Sequence, residues 1–135
     1  MILRRPGRFQ KQITSLQAGR RWVWIEGNHD PGPVEIGGTH LAELNFLGLT
    51  FRHVAQAGSA HEVSGHYHPK ARLRLRGRTI SRPAFLVDRH KIILPAYGTF
   101  TGGLDSKTAP LAQLMRPDAL AILTGPHPQV IPIPR

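Results

Sequence analysis

The spacing of apolar residues near the start of the chain predicts a helix followed by a strand. Phe9, Ile13 and Leu16 stand at i, i+4 and i+7, which places them on one face of an α-helix, and Gly19 follows where a C-cap glycine is expected. The next run, Arg21–Glu26 (RWVWIE), is rich in aromatic and β-branched residues, which is typical of a buried strand. This order of elements indicates an α/β fold.

The predicted strand ends at Gly27, because the polar segment that follows it, Asn28–Pro33 (NHDPGP), contains two prolines and a glycine. Open α/β sheets place their ligands in loops at the carboxyl ends of strands. The segment is therefore a candidate for part of a functional site.

Short apolar runs separated by turn residues predict a β-rich remainder of the chain. The predicted strands are Leu47–Val54, Leu73–Leu75, Ala84–Asp88 and Lys91–Leu94, with a helical turn at Leu111–Met115 and a final hairpin formed by Ala119–Thr124 and Val130–Ile133. No repeat or linker divides the chain, so residues 1–135 are expected to form one unit.

Composition narrows the possible functions only partly. The chain has no cysteine, which excludes disulfides, thiolate metal ligands and a cysteine nucleophile and is consistent with a cytoplasmic protein. No apolar run approaches the roughly 20 residues of a membrane helix, so no membrane partner is expected. The formal net charge of +10 favours binding to polyanions such as nucleic acid, although a generally basic composition would produce the same charge.

Two histidines stand two positions apart in Gly65–Pro69 (GHYHP). If this segment is extended, His66 and His68 point to the same face and can converge on one site. Divalent metals of intermediate softness accept imidazole readily. An isolated H-x-H pair is more often a surface coincidence, but the flanking glycine and proline indicate a tight, non-helical path for the chain.

A second polar cluster, Gly27–Asp30 (GNHD), carries a complementary set of groups. Asn28 offers a neutral oxygen to a metal, His29 can donate a proton to developing negative charge, and Asp30 can fix the imidazole tautomer. Alone, such a segment is usually an ordinary turn. Its occurrence before the GHYH segment, also at a predicted strand end, makes the combination more specific.

In this order, the GNHD cluster, His53 and the GHYH cluster resemble the last three motifs of the calcineurin-like metallophosphoesterases. The surrounding sequence resembles the bacterial ligase-associated DNA damage response endonucleases, the PdeM-like subfamily. That resemblance is carried by WVWIEGNHDPGP (Trp22–Pro33), GHYHPKARLRLRGR (Gly65–Arg78) and LPAYGTFTGGLD (Leu94–Asp105). It implies an α/β fold equivalent to the C-terminal part of an αββα sandwich, with two packed mixed β-sheets flanked by helices.

The resemblance also implies two divalent metal ions, manganese first and iron or zinc as alternatives. Asn28, His53 and His66 would ligate one metal and His68 the other. His53 is the ligand with the least local support, because a lone histidine in an apolar strand is usually a packing residue.

The implied reaction is hydrolysis of a phosphodiester by a metal-activated hydroxide. His29 would lie over the substrate phosphate as a catalytic residue, and Asp30 would orient it. The implied substrate is DNA or another phosphodiester, and a DNA ligase or helicase of a repair system is the implied partner.

The motifs that open the family pattern, D-x-H and then G-D, do not occur before Gly27 in this chain. We therefore expect residues 1–135 to form a partial metallophosphoesterase domain that is impaired in catalysis and unstable or prone to aggregate alone. A degenerate, non-catalytic remnant that binds nucleic acid through its basic residues is the alternative. A second alternative is that the protein hydrolyses small phosphomonoesters or cyclic nucleotides.

Arginines alternate with other residues directly after the GHYH segment. On a strand, this spacing places Arg72, Arg74 and Arg76, followed by Arg78, on one face. The face is either an ordinary solvated surface or a stripe of phosphate contacts that guides a nucleic acid strand without reading its sequence.

Overall fold

The computed structural model describes residues 7–27, 37–98 and 102–133. Within these ranges the chain forms, in order, α1 (Arg8–Gln17), β1 (Val23–Ile25), β2 (Thr39–Leu41), β3 (Glu43–Phe46), β4 (Leu49–Arg52), β5 (Glu62–Ser64), β6 (Lys70–Leu75), β7 (Arg78–Val87), β8 (Lys91–Ile93), α2 (Leu111–Leu114), β9 (Leu120–Leu123) and β10 (Gln129–Pro132). Neither of these helices is long and apolar enough to cross a membrane.

The predicted first helix is confirmed as α1, and it ends before Gly19 as expected. The Gly7 N–H donates to the Gln10 side chain (2.9 Å) at the start, and Gly19 adopts a left-handed φ of 69° after the last turn. Of the three apolar residues on its predicted face, Ile13 is buried whereas Phe9 and Leu16 are exposed.

The strands form two sheets. β1 and β2 are a parallel pair, and the larger sheet has the order β10-β9-β7-β8-β5-β4-β3, with β6 paired to β7 beside this path. The ten-residue β7 has different partners in its two halves. Its first part pairs with β6 in a two-stranded ribbon, and Ala84–Val87 pair with β9 inside the larger sheet, with β8 on the other side. This mixed α/β architecture confirms the predicted fold class.

Three neighbouring strands of the larger sheet, β4, β5 and β8, run parallel, in the register Thr50↔Glu62 and Glu62↔Lys91. Because their directions agree, their carboxyl ends meet at one edge of the sheet. The residues that follow β4 and β5 are consequently brought side by side although they are far apart in the sequence.

The predicted strand Leu47–Val54 is wrong in its boundaries. The chain forms two antiparallel strands, β3 and β4, joined by a two-residue turn in which Leu47 and Gly48 both have left-handed φ values, 51° and 78°. Such turns match the twist of a hairpin. Leucine rarely occupies this conformation, so the apolar pattern favoured a continuous strand.

The core lies between the larger sheet and the segment around α2. Its buried members include several alanines at strand positions, which allow close approach of the backbone, and larger residues from β7, β8 and α2, among them Leu86, Ile93 and Leu111. The predicted helical turn and final hairpin, which are α2 and β9–β10, are both confirmed and pack here.

Asp88 joins the β7–β8 turn to the end of α2. Its carboxylate accepts backbone N–H bonds from His90 (2.7 Å), Lys91 (2.9 Å) and Arg116 (2.9 Å). Partial burial acts to raise the pKa of Asp88, but these three bonds and the Lys91 charge outweigh it, so the pKa lies below its ordinary value.

We expect Asp88→Asn to lower the free energy of unfolding at pH 7 by about 1–2 kcal/mol, a value reduced by solvent screening of this partly exposed group. Because the folded-state pKa is lowered, the stabilisation is present above the unfolded value of about 3.9 and is lost as the pH falls through the folded value. Urea denaturation should therefore show a larger difference from wild type at pH 7 than at pH 3. Asp118→Asn, which removes an exposed carboxylate near Arg116, is the control and should have little effect at either pH.

Candidate metal centre

Two imidazoles meet at the carboxyl edge of β4 and β5. His53 directly follows β4, and His66 lies two residues after the end of β5. The Gly65 N–H donates to the His53 carbonyl oxygen (3.0 Å), which extends the parallel pairing past both strand ends. As a result, Nδ1 of His66 and Nε2 of His53 lie 3.1 Å apart, with the rings nearly perpendicular.

This spacing suits a divalent metal ion. With metal–nitrogen bonds of about 2.0–2.1 Å and ligand angles of about 90–109°, two ligand nitrogens lie about 2.8–3.4 Å apart. The 3.1 Å separation falls in that range. The same pair can share one hydrogen when no cation lies between them, so the two rings need little rearrangement to become metal ligands.

The backbone at His66 is held in an unusual conformation. Its φ of 67° is left-handed, and the following Tyr67 N–H donates to the Gly65 carbonyl oxygen (2.8 Å). The Tyr67 ring lies edge-on to the His66 ring at 4.8 Å and also packs on the core. The imidazole is therefore supported by the folded core as well as by its own turn.

The end of β1 reaches the same place. A β-carbon added at Gly27 would lie only 2.8 Å from Cε1 of His53, so the bare backbone of Gly27 rests against this ring. Gly27 is the first residue of the GNHD cluster. The three residues that follow it, Asn28, His29 and Asp30, lie outside the described residues, and their metal-binding and catalytic roles stay predictions.

His68 has different neighbours from His66, and the segment between them is not extended chain, because His68 also has a left-handed φ of 48°. Its Nδ1 lies 3.2 Å from the Gly102 carbonyl oxygen, a contact in which the ring donates its hydrogen. This bond fixes the tautomer and leaves the Nε2 lone pair available, which is the usual arrangement of a metal-ligating histidine.

The glycine after Gly102 is required by close packing. A β-carbon at Gly103 would overlap the His68 carbonyl oxygen and press on the Lys70 side chain. The Leu104 N–H donates to the Tyr67 carbonyl oxygen (3.2 Å), which holds the loop around Gly103 against the GHYH segment. Gly103 therefore allows a close approach of two backbone segments that a side chain would prevent.

Across residues 7–27, 37–98 and 102–133, no group of three or more histidine, aspartate or glutamate side chains is assembled closely enough to hold a metal ion. The described part of the predicted site is the His53–His66 pair, with His68 nearby in sequence but hydrogen-bonded elsewhere. Any further ligand to the pair has to come from other residues, and Asn28 is the predicted one.

A buried ionic network, which the sequence analysis did not identify, supports the strand that ends at His53. Arg52 contacts Glu43 (2.9 Å) and Glu62 (3.5 Å), and the Glu62 side chain, 0% exposed, lies 3.9 Å from Nζ of Lys91. The Lys91 ammonium also donates to the Gln56 carbonyl oxygen (2.6 Å), and the Gln56 N–H donates to Glu62. The only signal in the sequence was the presence of charged residues in short apolar strands.

The predicted arginine stripe is partly wrong. Arg72 and Arg74 pair with Ser81 and Thr79 on one exposed face of the β6–β7 ribbon. Arg76 is instead in the tight turn of the ribbon, with a left-handed φ of 48°, followed by Gly77 at 75°. The turn ends the alternation, so only two of the three arginines share a strand face. Arg72 also contacts Asp105 (3.2 Å).

Comparison with solved structures relates the fold to a nuclease. The chain is similar to the crystal structure of Pseudomonas putida nuclease MPE, with a TM-score of 0.63 and 25% sequence identity over 91% of this chain. The chain spans 59% of the length of that protein. Neither a protein-family model nor a curated protein sequence matches the chain.

Proposed function

We propose that the chain acts on nucleic acid as a metal-dependent phosphodiesterase of the metallophosphoesterase type, and that it belongs to a DNA-repair endonuclease of the ligase-associated class. The observation that carries this proposal is the His53–His66 pair, whose ring nitrogens lie 3.1 Å apart at the carboxyl edge of two parallel strands. The fold shared with a nuclease and the net charge of +10 support a polyanionic substrate.

In this proposal His53 and His66 hold one divalent ion together with Asn28, and His68 contributes to a second site. A bound divalent ion, manganese by preference, supplies a hydroxide nucleophile at neutral pH and neutralises charge on the phosphate. The Gly102 carbonyl oxygen keeps the His68 hydrogen on Nδ1, and Gly27 keeps the space beside His53 free of a side chain. His29 protonates the leaving oxygen, and Asp30 orients the His29 ring.

The test is hydrolysis of bis(p-nitrophenyl) phosphate and of a single-stranded oligonucleotide by the purified 135-residue chain. After treatment with EDTA, we expect no hydrolysis. Added Mn²⁺ is expected to produce slow hydrolysis, because the chain has no D-x-H or G-D motif before Gly27, and Fe²⁺ and Zn²⁺ are compared in parallel. Hydrolysis that is unchanged by EDTA would contradict the metal-dependent mechanism. Faster cleavage of p-nitrophenyl phosphate or of a cyclic nucleotide than of the diester and the oligonucleotide would instead identify a small-molecule phosphatase or cyclic-nucleotide hydrolase.

A second candidate function is binding of nucleic acid without hydrolysis. It is favoured by the exposed face that carries Arg72 and Arg74 and by the assembly of only two imidazoles among the residues that the structure describes. Oligonucleotide binding that weakens with salt, together with no hydrolysis at any metal concentration and no measurable metal affinity, would support this function over the first.

A further inference from the structure

A cavity of about 870 Å³ lies between the β6–β7 ribbon and the segment that follows β8. One wall is the segment that follows β8, from Leu94 to Gly98, and the opposite wall is the β6–β7 ribbon with Lys70 and Ser81. Its volume lies in the range of about 300–1,000 Å³ that is typical of small-molecule sites. The cavity is therefore large enough for a nucleotide.

The cavity and the histidine pair share the same edge of the sheet. The Leu94 N–H donates to the Ser64 carbonyl oxygen (2.7 Å), two residues before His66. On the other wall, Lys70 is two residues after His68 and contacts Gly103, which in turn lies against the His68 carbonyl oxygen. The cavity is therefore at the edge of the sheet where a substrate bound by the histidines would lie.

The lining combines aromatic surface with positive charge. Tyr97 is fully exposed, and Phe85 and Leu94 provide further apolar surface. Lys70 lines the cavity. Arg74 lies on the same face of the ribbon, because it is four residues after Lys70 on β6 and alternate residues of a strand share a face. An exposed aromatic ring next to cations is the combination with which proteins bind unpaired nucleotides, the base stacking on the ring and the backbone contacting the charges.

We propose that this cavity is a nucleotide subsite in which a base next to the cleaved bond stacks on Tyr97 while the adjoining phosphates contact Lys70 and Arg74. The proposal rests on the proposed function, since it assigns a position for the substrate of that same site. An apolar peptide is the other occupant that the lining could accept, but it gives no role to the cations.

The test is fluorescence anisotropy in EDTA with two labelled ten-nucleotide strands, oligodeoxythymidylate and an abasic strand of the same length and charge. We expect wild type to bind the strand with bases about tenfold more tightly than the abasic strand, because stacking on an aromatic side chain contributes to binding base by base. Tyr97→Ala should remove this preference and leave the affinity for the abasic strand unchanged. Tyr97→Phe should retain it.

Phe46→Ala is the matched control, because Phe46 is also an exposed aromatic residue but lies on β3, the far end of the sheet. Equal affinity of wild type for the two strands, no binding of either strand, or an unchanged preference in Tyr97→Ala would each overturn the subsite. Binding in EDTA requires neither metal nor turnover. A base preference without any metal-dependent hydrolysis would therefore contradict the proposed function and leave the subsite in place.

Discussion

Replacing His66 with asparagine is expected to lower Mn²⁺-dependent phosphodiester hydrolysis by about two orders of magnitude or more. The substitution removes one of the two imidazole nitrogens that lie 3.1 Å apart, and metal stabilisation of a phosphoryl transition state contributes several kcal/mol. Each loss of about 1.4 kcal/mol of that stabilisation lowers the rate tenfold. Asparagine is chosen because it tolerates the left-handed backbone at this position, where φ is 67°.

His61→Asn is the matched control for this variant. His61 lies just before β5 and His66 lies just after it, so the two histidines flank one strand at opposite edges of the sheet. Both have left-handed φ values, 55° and 67°. The control should keep the wild-type rate. Isothermal titration with Mn²⁺ adds a measurement that does not depend on turnover, and equal metal affinity in both variants would contradict a ligand role for His66.

Replacing Glu62 with glutamine is expected to cost about 3–5 kcal/mol of the free energy of unfolding, the largest effect on stability among the substitutions considered. The Lys91 side chain is 3% exposed and would lose the carboxylate that compensates its buried charge. Arg52 would lose the same partner. Because small domains have a total stability of only about 5–15 kcal/mol, this variant should unfold at a markedly lower urea concentration.

Glu43→Gln is the control that distinguishes the loss of a buried ion pair from the loss of an exposed one. Glu43 contacts the same arginine, Arg52, at 2.9 Å, but its side chain is 42% exposed. A pair that water can screen contributes about 0–1 kcal/mol, so this variant should remain close to wild type. If the two substitutions had equal effects in urea denaturation, the buried network would not be the source of the stability assigned to it.

Local patterns in the sequence predicted the elements of this fold better than their connections. The i, i+4, i+7 spacing ending at Gly19 predicted α1 because helix formation depends on neighbouring residues. The turn at Leu47–Gly48 was missed because the pattern there is apolar and the left-handed leucine breaks the usual preference. Nothing local indicated that β7 would pair with β6 in one half and with β9 in the other.

In the candidate site, too, the sequence indicated the local segments but not all of the contacts between distant residues. The GNHD and GHYH segments were found by their residue types, and a neighbouring pair of histidines was expected from their i, i+2 spacing. The structure pairs His66 with His53, thirteen residues away, because β4 and β5 lie parallel and end at the same edge; the family resemblance implied this pairing, whereas the i, i+2 spacing did not. His68 turns to Gly102, which is 34 residues away. Such partners depend on the topology of the sheet, which short sequence patterns do not specify.

The double membership of β7 has a mechanical consequence. The ribbon that carries Arg72 and Arg74 projects from the sheet on the same strand whose other half, Ala84–Val87, is clamped beside β9 and β8. A force directed along β7, such as one exerted by a bound polymer, would act parallel to the strands. The backbone hydrogen bonds between Ala84–Val87 and the neighbouring strands β9 and β8 would then bear the force together, instead of breaking one after another from the turn. The hairpin is thus anchored at one end by the buried residues Ala84 and Leu86, so a force applied to its exposed turn is transmitted to the core.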